Sequence, residues 1–415
     1  MFRLKKILFS GYYLYHSNNI KRVPKYKEIL LDETISINER IALLKRRFKE
    51  NNLNIDSVED YYFELFFGSL ISKYETDKLL SELNAIHENK LGVNEWLELS
   101  SLFISVVFYN SALLARSKAL NKTNLLKSNI LSFFLNSDAI LGESIENGDF
   151  RSAKKALIFS KFKGSTVHKN DNYAKVYSLV SNKTTFPNSE KYSKVVGGCN
   201  VAVIGPLKLS SDNIKEIKKY DLVVGLNFFN LKELGCKENK IPINITYNTT
   251  NTVKKILDNH DFNSLDNVKA VISRTKGPIS RIGGDQLNSN GVLLRAMDDT
   301  NPFTFNGGLN FLQRVILDVY IHEPKSIKVF GADLYTTLDY APEYQPGKNY
   351  QGYHHYLNQM VQHDLITQFK LTKWLFKENV FEPDNRLLQV LNLSLEGYLR
   401  KMQSILKTYM NYPKK

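Results

Sequence analysis

The pattern that most constrains the fold lies after residue 195, where short apolar runs alternate with amphipathic stretches. The runs "CNVAVIG" (199–205) and "DLVVGLN" (221–227) lack polar alternation, which is typical of strands buried on both faces. Between them, "SSDNIKEIKKY" opens with capping residues and continues with helical spacing. Further apolar runs follow at "INITYN", "VKAVISR" and "SIKVFGADLY", and a long helix is predicted over "GLNFLQRVILDVYIH". This alternation predicts an α/β fold with a parallel sheet covered by helices on both faces.

The preceding part of the chain has a different pattern. Residues 30–182 contain almost no proline or paired glycine, and apolar residues recur at spacings of three and four, as in "DFRSAKKALIFSKF". This spacing predicts helices, and stacked helical hairpins are compatible with it, although no clean repeat period is present. The polar segment "VSNKTTFPNSEKYSK" (180–194) is predicted to be a linker. We therefore expect a basic segment at 1–28, an all-α helical domain at 29–182, a parallel α/β domain at 195–385 and a basic helix at 386–415.

The longest apolar run, 99–115, is about as long as a membrane span but contains four serines and an asparagine. It is predicted to be a buried helix rather than a span. Two cysteines cannot build a disulfide framework, so a reducing, intracellular compartment is expected. The amino-terminal stretch has no small-residue cleavage site, so no secretory signal is expected.

The formal net charge is +14, and both ends of the chain contribute to it. Residues 1–27 and all residues after Glu396 contain no acidic side chain. Such ends suit an anionic membrane, nucleic acid or a phosphorylated substrate, and plain solvated tails are the alternative. No zinc-finger spacing, RNA-recognition signature or basic-zipper heptad is present, so nucleic acid is not an expected partner.

Several candidate ligand-binding residues are predicted to follow strands or to precede a helix. Gly205 follows the first strand, and Asn227 and Asn248 end later strands. The pair Gly307 and Gly308 precedes the long helix, where backbone amides favour a phosphate. Tight turns and helix caps are the alternatives. Neither G-x-G-x-x-G nor a Walker sequence is present, so NAD and ATP are not predicted.

Phenols and imidazoles follow the last predicted strand. Asp333, Tyr335 and Tyr340 lie in "VFGADLYTTLDY", and a tyrosine can donate a hydrogen bond to a phosphate without a metal. With 23 tyrosines in the chain, packing is the alternative for each of them. The segment "YQGYHHYLNQMVQHD" (350–364) contains three of the eight histidines, and a histidine there can act as a general base. Metal binding and a purely structural role are the alternatives to a general base for these histidines. The zinc motif H-E-x-x-H is absent, so a metal site is not the favoured interpretation.

Four segments together resemble the sialyltransferases, over about residues 196–375. "CNVAVIG" to "DLVVGLN" is similar to their large motif, and "FNGGLNFL" to "VFGADLY" is similar to their small motif. "HHYLNQMVQHDLITQ" resembles their third and very-small motifs, both of which are found in the animal-type families. "TYN" (246–248) and "DLY" (333–335) are similar to the bacterial, Campylobacter-type branch.

The resemblance implies a Rossmann-like sheet of the GT-A-variant sialyltransferase type and an inverting, metal-independent transfer from a CMP-sugar, with no cofactor. It implies that His363 is the catalytic base, that His355 and Tyr356 belong to the preceding motif, and that Tyr335 and Tyr340 face the phosphate. The remaining positions implied to contact the nucleotide are Gly205, Asn227, Asn248, Asn306, Gly307, Gly308 and Asp333.

The chain also departs from the family pattern. Gln368 stands where the very-small motif has glutamate, and Gly225 stands where the large motif often has arginine. The Campylobacter-type spacing places the base at Gln359, so His355 is the rival of His363. Cys236 lies outside the small motif, so the disulfide of the animal enzymes is not expected.

The expected function is transfer of sialic acid or a related nonulosonic acid to a glycan or glycolipid in bacterial lipopolysaccharide, lipooligosaccharide or capsule biosynthesis. The expected location is cytoplasmic, with peripheral contact at the inner face of the inner membrane. A CMP-Kdo donor, another CMP-linked acidic sugar, and a non-catalytic nucleotide-binding scaffold are the alternatives.

Overall fold

The computed structural model describes residue 84 and the ranges 91–105, 109–147, 149–162, 190–227, 241–248, 267–274, 291–297, 305–337, 340–341 and 363–410. Its centre is a seven-stranded, entirely parallel sheet. The strands are β1 (Asn200–Ile204), β2 (Leu222–Leu226), β3 (Ile245–Asn248), β4 (Ala270–Ser273), β5 (Leu293–Ala296), β6 (Ser326–Phe330) and β7 (Glu382–Pro383). The predicted α/β class with a Rossmann-like sheet is therefore confirmed.

The strand order is β5-β4-β3-β2-β1-β6-β7. The chain builds the sheet outward from β1 to β5, then returns to place β6 on the other side of β1. The order thus reverses between β1 and β6, and ligands of such sheets bind beyond the carboxyl ends of the strands at this point.

Alternation along β1 explains how the sheet is covered on both faces. Val201 and Val203 belong to one buried apolar cluster, and Ala202 and Ile204 belong to another on the opposite face. The helix α7 (Ser211–Ile217) covers the second face, and its N-cap Ser210 accepts a hydrogen bond from the Asn213 amide. The first face packs against α8 (Phe311–Tyr320) and α9 (Leu365–Lys377).

Helices also form the described part of the amino-terminal half. They are α1 (Val93–Ser105), α2 (Tyr109–Ser128), α3 (Ile130–Leu135), α4 (Ser137–Glu146) and α5 (Phe150–Phe162). The apolar run 99–115, predicted to be one buried helix, contributes to two helices: residues 99–105 belong to α1 and residues 109–115 belong to α2. Among the helices of the described ranges, none has both the length and the apolar composition that crossing a bilayer requires.

The linker predicted at 180–194 is wrong for its last residues, because 190–194 lie in α6 (Glu190–Val196). The ring of Tyr192 is fully buried there, and its hydroxyl lies 2.6 Å from that of Tyr247 on β3. The basic helix predicted at 386–415 is two helices, α10 (Asn385–Leu391) and α11 (Leu395–Met410). Ser394 explains why a new helix begins here, because its hydroxyl caps α11 by accepting from the Gly397 amide at 3.0 Å.

Side chains from both predicted domains belong to one buried core. Trp96 and Ile104 of α1 and Ala112 of α2 are fully buried in the cluster that also contains Val201 and Val203 of β1. The described amino-terminal helices therefore pack directly against the α/β unit.

Candidate functional site

Three segments converge at the carboxyl edge of the sheet. Residues 305–310 lead into α8, residues 331–337 follow β6, and residues 363–364 lead into α9. In a parallel sheet the loop after a strand and the start of the next helix lie at the same edge. Hydrogen bonds between these segments, described below, show that they form one polar site.

His363 lies directly before the N-cap of α9. Its Nδ1 atom is 3.0 Å from the carbonyl oxygen of Gly308, and the residue is only 7% exposed. A carbonyl oxygen can only accept, so Nδ1 bears the proton and the lone pair of the neutral ring is on Nε2. This contact therefore favours the tautomer in which Nε2 is the basic atom.

Gln368 joins the 305–310 turn to α9. Its Nε2 donates to the Gly308 carbonyl at 2.9 Å, and its Oε1 accepts from the Asn310 amide at 2.9 Å. Making both bonds at once requires a donor and an acceptor, whereas an ionised glutamate could accept from the Asn310 amide but could not donate to the Gly308 carbonyl. The departure of Gln368 from the family pattern therefore has a local reason in this chain.

Tyr335 contacts the same turn from the β6 side. Its hydroxyl accepts a bond from Asn310 Nδ2 at 2.7 Å, so the phenol hydrogen is directed to a different acceptor. Leu334 and Tyr335 both adopt left-handed backbone angles, with φ of 51° and 69°. Such strained residues are frequent at ligand sites, and Tyr398 supports this loop by donating to the Leu334 carbonyl at 2.8 Å.

Asn306 points toward the amino-terminal helices rather than away from them. Its Nδ2 lies 3.0 Å from Asp364 Oδ2, 2.6 Å from Ser101 Oγ and 3.1 Å from the Leu97 carbonyl. Its amide group therefore ties the 305–310 turn to α1 and to the start of α9.

An ion cluster that the sequence did not predict holds the start of α9. Arg116 of α2 donates through one terminal nitrogen to both oxygens of Asp364 at 3.2 Å. Its other terminal nitrogen donates to Glu146 at 2.6 Å and to Thr367 at 2.7 Å. Burial alone would raise the pKa of Glu146, but Arg116 and Lys370 hold this pKa below its ordinary value. The other partners of Arg116 and Glu146 are Asp364, Thr367 and Lys370, which lie more than 200 positions later in the chain, so no local sequence pattern marks the cluster.

The remaining predicted residues lie at other points of the same sheet edge. Asn227, with φ of 55°, follows β2, and Asn248 is the last residue of the adjacent strand β3. Asn248 is fully buried, its Nδ2 donates to Thr246 Oγ1 at 2.8 Å, and its Oδ1 has no hydrogen-bond partner among the described residues. Tyr340 pairs with Leu207 in an antiparallel bridge beside the loop after β1.

Gly205 and Asp333 are packed into the protein. A Cβ atom at Gly205 would lie 2.4 Å from the Gly331 carbonyl oxygen, so the close approach of two backbones requires glycine there. Asp333 is 3% exposed, burial raises the pKa of its carboxyl, and Thr337 donates to it at 2.6 Å. Both contacts are within the protein and give these residues a structural role.

His355 and Tyr356 lie outside the described residues. In the ranges that are described, no group of three or more His, Cys, Asp and Glu side chains could hold a metal ion. The site brings together His363, Tyr335, Asn306, Gly307 and Gly308, whereas Asn227, Asn248, Gly205 and Tyr340 belong to neighbouring loops of the edge.

The fold and this site define an α/β protein with a Rossmann-like parallel sheet and a polar cluster at its carboxyl edge. Comparison with protein-family models finds no match, and comparison with curated proteins finds none either.

Proposed function

We propose that the protein is an inverting, metal-independent glycosyltransferase that moves sialic acid or a related nonulosonic acid from a CMP-sugar to a glycan hydroxyl. The main support is the favoured tautomer of His363. The contact of Nδ1 with the Gly308 carbonyl leaves Nε2 as the atom that accepts a proton from the acceptor.

In the proposed reaction the acceptor hydroxyl attacks the anomeric carbon as His363 Nε2 takes its proton. The bond between this carbon and the phosphate oxygen breaks, CMP leaves with the bonding electron pair, and the configuration inverts. The transition state resembles an oxocarbenium ion, so the protein must stabilise negative charge on the departing phosphate.

Tyr335 is the residue that we propose for this stabilisation. Its hydroxyl accepts from Asn310 Nδ2 beside the start of α8, and a phenol at this position can donate to a phosphate oxygen. Asn310 also caps α8, where it accepts from the Phe311 amide at 2.6 Å, and the positive end of the helix dipole favours an anion. The base and the phosphate stabiliser thus share one turn.

Asn248 supports a nucleotide at the adjacent strand end. A fully buried amide oxygen with no described partner costs about 1–3 kcal/mol, which a bound donor group would recover. A ribose hydroxyl or a base amine can provide that donor.

Peripheral membrane contact is part of the proposal, because lipid-linked acceptors lie at the inner face of the inner membrane. Ile130 and Leu131 of α3 are 70% and 50% exposed. The adjacent helix α5 contacts α3 through the ring pair Phe133–Phe159. It exposes three basic side chains on one face: Arg151, Lys154 and Lys155. Each such charge contributes about 1 kcal/mol to binding an anionic leaflet.

The proposal is tested first by thermal-shift measurements with CMP, UDP, GDP and NAD. We expect CMP alone to raise the melting temperature, and stabilisation only by UDP or NAD would refute the proposal. CMP release from CMP-sialic acid and CMP-Kdo then identifies the donor, and CMP binding without release from any donor would favour a scaffold. Co-sedimentation with phosphatidylglycerol but not phosphatidylcholine vesicles tests the membrane contact, and equal sedimentation with both would refute it.

A further inference from the structure

Arg116 connects the amino-terminal helices to the candidate base. The residue is 3% exposed and lies 248 positions before Asp364 in the chain. It holds two carboxylates, Asp364 and Glu146, and also contacts Thr367. A buried charge without its partner is costly. Arrangements that separate Arg116 from its carboxylates are therefore disfavoured, and the positions of these side chains are fixed.

Asp364 is the point where this cluster meets the site. Its Oδ1 caps α9 by accepting from the Thr367 amide at 2.7 Å, and its Oδ2 accepts from Asn306 Nδ2 at 3.0 Å. His363 precedes Asp364 by one residue, and Gly308 follows Asn306 by two. Both sides of the hydrogen bond between His363 and Gly308 are therefore tied to the same carboxylate, and Arg116 fixes that carboxylate.

We propose that Arg116 is a positioning residue for His363 and that the amino-terminal helices thereby complete the active site. This inference rests on the proposed function. Arg116 acts through Asp364, which holds the imidazole and the 305–310 turn in the arrangement that directs Nε2 to the acceptor. A displacement of about 1 Å in a reacting group costs on the order of 100-fold in rate.

A purely structural ion cluster would behave differently. If the cluster were purely structural, removing Arg116 would lower the stability of the fold. Any accompanying loss of activity would then be the same factor whether or not His363 were present. A positioning residue loses its effect once the base that it positions is gone, because residues that act as a unit are strongly non-additive.

The experiment is a double-mutant cycle in the full-length chain, with Arg116→Met and His363→Asn. Asparagine keeps a donor for the Gly308 carbonyl and removes the base. We expect Arg116→Met alone to lower kcat for CMP release about 10- to 100-fold with a change in KM below about 3-fold. In the His363→Asn background it should change kcat by less than about 2-fold. Equal factors in the two backgrounds would overturn the proposal.

Lys127→Met is the matched control from the same helix. Lys127 pairs with Glu143 at 2.6 Å and with Asp149 at 3.5 Å and has no described contact with Asp364, so kcat should be unchanged. If Arg116→Met does not fold, Asn306→Ala takes its place in the double-mutant cycle. This variant keeps the ion cluster but removes the hydrogen bond between the 305–310 turn and Asp364. It should show the same dependence on His363, and an equal loss in both backgrounds would again overturn the proposal.

A second readout does not depend on catalysis. The ¹⁵N shifts of the His363 ring should show the Nδ1-protonated tautomer in the wild-type chain and a mixture of tautomers in Arg116→Met. An unchanged tautomer would refute the positioning role even if no CMP-sugar is a substrate. Failure of the wild-type chain to release CMP, with the tautomer shift present, would refute only the proposed transfer reaction.

Discussion

For the substitution Gln368→Glu, the geometry of the site and the resemblance to the sialyltransferases predict opposite results. The resemblance places glutamate at this position, so it predicts a harmless change. The structure predicts damage, because Gln368 is 1% exposed and donates to the Gly308 carbonyl at 2.9 Å. An ionised glutamate would place a carboxylate oxygen against that carbonyl oxygen, although it would still accept from the Asn310 amide.

The size of the effect follows from two contributions. Loss of the bond to Gly308 costs about 1 kcal/mol. Burial against a carbonyl oxygen should raise the folded-state pKa of the new carboxyl, and ionising it beside that oxygen adds about 1–3 kcal/mol. A raised folded-state pKa means that the penalty is absent below the unfolded pKa, about 4.3, and grows as the pH rises through the folded pKa. The protonated acid can donate to Gly308, so Gln368→Glu should lose about 2–4 kcal/mol at pH 8 and about 1 kcal/mol or less near pH 4.5.

Urea unfolding of the wild-type chain and of two variants at pH 8 and pH 4.5 measures this difference. Gln368→Met is the matched control, because it removes both hydrogen bonds without adding a titratable group and should lose about 2 kcal/mol at either pH. The role of Gln368 would be refuted if Gln368→Glu had the same free energy of unfolding as the wild type at pH 8. It would also be refuted if the variant lost the same amount of stability at both pH values.

Gly205→Ala should lower the free energy of unfolding by about 3 kcal/mol, because its Cβ would meet the Gly331 carbonyl oxygen at 2.4 Å; an unchanged urea midpoint would contradict this packing. Arg116 holds the pKa of Glu146 in the folded protein below its ordinary value of 4.5. The ion pair therefore stabilises the fold fully above about pH 4.5, and this stabilisation is lost as the pH falls through the lowered pKa of Glu146. Glu146→Gln should therefore be less stable at pH 7 and lose less stability than the wild type between pH 5 and pH 3; parallel acid-unfolding curves would count against the pair. The Tyr247 hydroxyl donates to the buried carboxylate of Asp318 at 2.5 Å, so Tyr247→Phe should lower the free energy of unfolding by about 1–3 kcal/mol; an unchanged melting temperature would argue against this hydrogen bond.

The fold was predictable wherever the sequence had a strong local pattern. Continuous apolar runs marked five of the strands, and their order along the chain predicted a parallel sheet. The strands β5 and β7 were not predicted. β5 contains Arg295 and is only partly buried, and β7 consists of two residues that include Pro383, so neither has the apolar run of a central strand. The break between α1 and α2 was also missed, because the apolar run continues across it.

The site was predictable only in the residues that follow strands or precede helices. Gly308, Tyr335 and His363 lie at such positions, and the structure joins them through one turn. The cluster of Arg116, Glu146 and Asp364 could not be predicted, because its partners are separated by 30 and 248 positions and have no shared motif. Their pairing depends on tertiary packing of α2 and α4 against α9.

The role of His363 as the base is tested by measuring kcat for CMP release from CMP-sialic acid in the wild-type chain and in His363→Asn. We expect the wild-type chain to release CMP and the variant to be slower by about 100- to 10,000-fold, with unchanged CMP affinity in calorimetry. Release at the wild-type rate by His363→Asn would contradict the assignment of the base.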